Sequence, residues 1–112
     1  MKKTILIMSI FSFLNCSDKK IFIGDENFIK KEIELNIDSK KADSIYEETF
    51  KENFSLIRDE NFENDYEKVI FIQNDFYYIG YASKLDKRGK ENPHLNYLLK
   101  INPKNQETFV IK

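Results

Sequence analysis

The sequence predicts an α+β domain with one long amphipathic helix packed on a four-stranded antiparallel meander. Two observations carry this. Ala42, Ile45, Tyr46, Thr49, Phe50, Asn53, Phe54 and Ile57 recur at spacings of three and four, the stripe of a helix with one face in a core. Lys68 to Asn74 and Phe76 to Ser83 are rich in β-branched and aromatic residues and are separated only by Asn74-Asp75. Such runs favour strands, and both turn residues tolerate positive φ, so the pair reads as a tight hairpin. Helix first and strands after, with no alternation between them, is an α+β order.

Taken in order, residues 16–24 form a polar tether, within which Ile21 to Ile23 can make a short strand ending at Gly24. Residues 25–112 form a single small domain. In Asp25 to Asp38, Phe28, Ile29 and Ile33 fit a helical spacing with Asp25 as N-cap, while Ile33, Leu35 and Ile37 alternate like a strand. The preferred reading is a short helical turn leading into an extended segment. The long helix is expected from Asp38 to Arg58, capped by Asp38 or Ser39, with Glu47 and Lys51 paired on its outer face. Asp59 to Asp65 reads as an acidic linker around Phe62. Its Asp-Glu-Asn-Phe repeats Asp25 to Phe28, a coincidence in a biased composition. After the hairpin, Lys84 to Pro93 is a charged loop. Leu95, Tyr97, Leu99 and Ile101 alternate as a third strand. Asn102-Pro103-Lys104-Asn105 suits a type I turn with Asn105 left-handed, and Thr108 to Ile111 closes the sheet.

The hairpin has two apolar faces. A two-residue turn puts Val69, Phe71, Phe76, Tyr78 and Gly80 on one and Ile70, Ile72, Tyr77, Ile79 and Tyr81 on the other. One helix covers one face. Either Ile21 to Ile37 folds over the second face, or that face meets a partner. For a partner surface the expectation rests on Tyr77 and Tyr81, whose rings pack while their hydroxyls stay hydrogen-bonded.

The first sixteen residues have a separate logic. Lys2 and Lys3 precede an apolar run from Ile5 to Leu14, and the chain's single cysteine, Cys16, follows. A basic start and a short apolar run are the layout of a secretory signal, too short for a stop-transfer helix of roughly 20 residues. Leu14 and Cys16 resemble the lipobox of bacterial lipoproteins, whose cysteine becomes the lipidated first residue; Asn15 departs from the small residue usual before it. The resemblance implies a signal peptide over residues 1–15, lipid chains on Cys16 and a place in the bacterial cell envelope, anchored to a membrane. Ser17 after the cysteine resembles signals that permit sorting to an outer membrane, where the cell has one.

The remaining 97 residues hold 16 basic and 19 acidic side chains, a net charge of −3, interspersed and without a basic stripe. That disfavours nucleic acid as a partner. No disulfide can form within a chain that has one cysteine. His94 is the only histidine, which leaves a nucleophilic triad without a base candidate beyond a loop-to-strand junction. The three glycines stand far apart, so no phosphate loop exists. Asp59, Glu60, Glu63 and Asp65 are acidic but lack the spacing and glycine of a calcium loop. No catalytic residue, metal ligand, cofactor or small-molecule substrate is expected.

Two functions from different classes remain. One is a lipid-anchored envelope protein with a non-catalytic binding or structural role, its partners the membrane and a protein. The other is an envelope inhibitor or immunity protein that caps a toxin or hydrolase. A helix followed by a meander, together with Ile101-Asn-Pro-Lys-Asn-Gln-Glu107, is similar to PepSY-like and cystatin-like small domains over roughly residues 33–112. Some of those act as inhibitors or immunity proteins. Their tails often carry Thr-Gly before the last strand, and this chain lacks that glycine.

Overall fold

A computed structural model describes residues 19–87 and 93–111. Five strands form one antiparallel sheet in sequence order: β1 Ile21–Phe22, β2 Tyr66–Gln73, β3 Phe76–Ser83, β4 Leu95–Ile101 and β5 Thr108–Ile111. Between β1 and β2 come three helices, α1 Glu26–Glu34, α2 Ser39–Asn53 and α3 Glu60–Asp65. The α+β class and the β2 to β5 meander match the expectation. The four-stranded sheet with one long helix is corrected to five strands and three shorter helices.

The stripe on α2 is real but ends early. Asp38 caps the helix, its carboxylate accepting from the Lys41 amide at 2.8 Å. Ala42, Ile45, Tyr46 and Phe50 are buried. Thr49 and Asn53 satisfy their polar ends on their own helix, donating to the Ile45 and Thr49 carbonyls. At Phe54 the backbone turns extended, φ −136° and ψ 119°. That turn sets the Phe54 ring edge-on to Tyr97 at 5.5 Å and lets Leu56 pack on the core. Tertiary packing thus stops the helix before Arg58 and leaves Ile57, the last residue of the expected stripe, 79% exposed.

The other two helices begin alike. Asp25 caps α1 by accepting from the Asn27 amide, and Asp59 caps α3 by accepting from the Phe62 amide. In each, the phenylalanine three residues after the cap is buried, Phe28 under α1 and Phe62 under α3. The two Asp-Glu-Asn-Phe tetrapeptides are therefore one local device used twice: a carboxylate cap and an apolar anchor in the first turn. Phe62 stacks on Tyr66 at 4.7 Å and meets Tyr81 edge-on at 4.9 Å. On α1 only Phe28 reaches the core, while Ile29 and Ile33 face solvent.

The β2–β3 turn follows the expectation. Asn74 and Asp75 have φ of 55° and 65°, the positive pair of a type I′ turn, and Gln73 lies opposite Phe76. Lys31 of α1 grips the turn through Asp75 at 2.6 Å. The β4–β5 turn differs: Gln106, not Asn105, takes positive φ, 63°, and its amide reaches back to the Asn102 carbonyl at 2.7 Å.

β4 is not a simple alternation. Ile79 faces Leu99 and Tyr81 faces Asn96, so Gly80 alone opposes both Tyr97 and Leu98. This β-bulge puts Tyr97 at φ 53°. It turns the Tyr97 ring into the aromatic cluster of Phe50, Phe54 and Phe62, and its carbonyl toward the Tyr46 hydroxyl at 2.7 Å. All three helices pack on one side of the sheet, over Ile70, Ile72, Tyr77, Ile79, Tyr81, Leu99 and Ile101.

Candidate functional site

The helix layer answers which hairpin face is covered. Tyr77 and Tyr81 are 0% and 3% exposed. Tyr77 donates to the Ile37 carbonyl at 2.7 Å, and the Tyr81 hydroxyl accepts from Arg58 at 2.6 Å. Both tyrosines proposed for a partner surface thus lie inside the core of this fold, closed to a partner. Burial pushes the Tyr46 and Tyr77 phenols well above their ordinary range, so both remain neutral donors.

That face also carries a charge matched by the helix layer. Lys68 projects from β2 on the same side as Ile70 and Ile72, and needs anions there. It reaches Asp43 at 2.7 Å and also pairs with Glu47; both acids are on α2. Glu47 is further clasped by Arg58, which lies over the Phe50 ring at 4.1 Å. A lysine sharing a face with Tyr81, opposite a helix that carries two acids one turn apart, is the sequence signal that would have oriented the sheet.

The Arg58 hydrogen bond, with help from Lys68, lowers the Glu47 carboxyl from 4.5 to about 2. A folded-state pKa below the unfolded one gives stability that is complete above the unfolded value and is lost as pH falls through the folded value. The denaturation midpoint is therefore expected to drop between pH 4.5 and pH 2, and Glu47→Gln to flatten that drop; urea melts at stepped pH test it. An unchanged slope in the variant would remove Glu47 from the acid sensitivity.

The opposite face carries no helix among the described residues. Neither α1 nor β1 folds across it: β1 pairs beside β2 and extends the sheet, and Leu35 and Ile37 after α1 join the helix-side core. This open face presents Phe22, Val69, Phe71, Tyr78, Leu98 and Phe109, by register with their strand partners. Phe71 is its centre. It stacks flat on Tyr78 with centroids 4.9 Å apart, tilts against Phe22 at 5.2 Å and carries the Lys20 ammonium at 5.2 Å. Among the described residues, these neighbours and no second layer cover the 2% exposed Phe71. Lys100 lies over Phe76 at 4.2 Å, and Phe109 and Ile111 at the β5 edge are 45% and 40% exposed. Lysines lying on rings cover apolar carbon with their stems and leave the ammonium in water. Antiparallel sheets with one wet face normally alternate apolar and polar residues, and this one does not.

No family model, curated protein or solved structure matches this chain.

Other residues singled out from the sequence are dispersed. His94 is exposed, and its amide donates to Asp86 at 2.8 Å. Asp59 is spent as the α3 cap, with Glu60, Glu63 and Asp65 exposed along that single turn. Cys16 and the apolar run before it lie outside the described residues. Among the described residues no helix is long and apolar enough to cross a membrane.

Proposed function

We propose that the protein is a lipid-anchored protein of the bacterial envelope with a binding or structural role and no catalysis of its own. The observation that carries this reading is the N-terminal order: Lys2-Lys3, the apolar run Ile5 to Leu14, then Cys16. The folded part supports it, because β1 starts at Ile21, five residues beyond that cysteine. A domain that begins so soon after an acylated residue is held close to its membrane. One acyl chain alone anchors only marginally, so a stable anchor carries more than one.

The experiment is mass spectrometry of the mature N-terminal peptide, with detergent-phase partition of wild type and Cys16→Ser. Wild type is expected in the detergent phase with fatty acid on Cys16. The variant is expected in the aqueous phase or unprocessed at its full 112 residues. A wild-type N-terminal peptide without fatty acid would overturn the anchor.

A further inference from the structure

We infer that the open sheet face lies flat on the bilayer surface, its aromatic side chains at headgroup level. This rests on the lipid anchor proposed above, and three observations single out the bilayer as the occupant of that face.

The first is where the tether arrives. Lys20 sits against the Phe71 ring, at the centre of the open face. Lys20 is four positions beyond Cys16, and an extended chain covers at most about 3.6 Å per position, so roughly 14 Å. The acyl chains begin at Cys16, so they start within that reach of the Lys20–Phe71 contact. The chain enters through the edge strand β1, and the Lys20 side chain turns from that edge onto the open face rather than toward the helices.

The second is chemistry. The face offers Phe and Tyr rings with a few lysines lying over them, Lys20 on Phe71 and Lys100 on Phe76. Aromatic rings with a polar tip, and lysines whose ammonium reaches past an apolar stem, are the residues that settle at a membrane–water interface. The ammonium groups meet lipid phosphate there.

The third is the distribution of acids. The three helices, on the other side of the sheet, hold ten acids against five lysines, whereas the open face holds Lys20 and Lys100 against Glu67. Anionic headgroups repel the net-negative helix layer more than the open face, where lysines outnumber acids. Glu67 is the one strand acid of the open face, and it sits at the far end of β2 from Phe71.

The test uses single tryptophans, since the chain has none of its own. Phe109→Trp marks the open face and Ile57→Trp the helix side; both positions are exposed enough to accept the larger ring. The full-length protein, expressed and processed in cells, is reconstituted into phosphatidylethanolamine–phosphatidylglycerol vesicles brominated near the headgroup end of the acyl chains. The expected result is blue-shifted emission and strong bromolipid quenching at Phe109→Trp, with iodide alone quenching Ile57→Trp. Iodide quenching at Phe109→Trp would place the face in water and overturn the inference. Protection from both quenchers would overturn it in favour of a protein occupant, and cross-linking would then tell a second copy from another chain. The N-terminal peptide mass from the same sample separates the two readings. An unacylated protein refutes the anchor, whereas an acylated one with a water-exposed Phe109→Trp refutes only the orientation.

Discussion

Phe50→Ala is expected to destabilise the domain by about 3–5 kcal/mol, from lost transfer energy plus the cavity left behind. Phe50 is 2% exposed, midway along the buried stripe of α2. Its ring lies 5.3 to 6.4 Å from those of Tyr46, Phe54, Tyr81 and Tyr97, and Arg58 stacks over it. Aromatic contacts of this kind add about 0.5–1.5 kcal/mol beyond area burial. Collapse into the void is limited, because Tyr46 is tied to the Tyr97 carbonyl and Tyr81 to Arg58. Against a total stability of about 5–15 kcal/mol the loss is severe. Glu48, exposed on the outer side of the same helix, is expected to tolerate alanine within roughly 0.5 kcal/mol. Guanidinium melts measure both, as a shift in midpoint at constant slope. Equal midpoints for the two variants would contradict the orientation of α2.

Elements that advertise themselves locally were legible in the sequence. The α2 stripe and the Asn74-Asp75 hairpin depend on periodicity and on two φ-tolerant residues; the hairpin formed where expected, while the helix began where expected at its Asp38 cap but ended at Asn53, short of Arg58. What was not legible depended on distant partners. Ile57 fits the α2 period as well as Phe54 does, yet the chain leaves the helix to bring Phe54 onto Tyr97, 43 residues on. The short strand at Ile21 was readable, but its place in the sheet was not, because that depends on Ile72 and Phe71 receiving it. A helical turn capped by Asp25 was read at α1, and α3 was legible in principle: it opens with the same Asp-Glu-Asn-Phe, a cap-and-anchor signature that is information even when the composition is biased. For the candidate surface, the hairpin pattern established that both faces are apolar and left open which one the helices cover; Lys68 beside Tyr81 was the available clue. Lys68 meets Asp43 and Glu47 on the face that holds Tyr77 and Tyr81 under the helices, with Phe71 and Tyr78 on the other.

Gly80→Ala is expected to cost about 1–3 kcal/mol, although alanine suits a strand no worse than glycine does. At this position the reason is the bulge rather than the backbone angle. A Cβ on residue 80 would stand 3.1 Å from the Asn96 carbonyl oxygen, 3.1 Å from Leu98 Cδ1 and 3.3 Å from Leu98 Cα. Two of these three atoms are backbone, so relief requires β4 itself to move. It resists, because the bulge is pinned from the helix side: Tyr46 donates to the Tyr97 carbonyl, and the Tyr97 ring is held among Phe50, Phe54 and Phe62. Tyr97 already sits at positive φ, a conformation that persists only where its surroundings over-determine it. Leu98→Ala in the Gly80→Ala background removes the one flexible contact and is expected to recover part of the loss. Tyr46→Phe loosens the pin, so Gly80→Ala should cost less in that background than in wild type. The double-mutant cycle measures this as a coupling of opposite sign to the single effects. Strict additivity of Tyr46→Phe and Gly80→Ala in guanidinium melts would mean that the hydroxyl does not hold the bulge, and that the close approach at Gly80 is set by β4 alone.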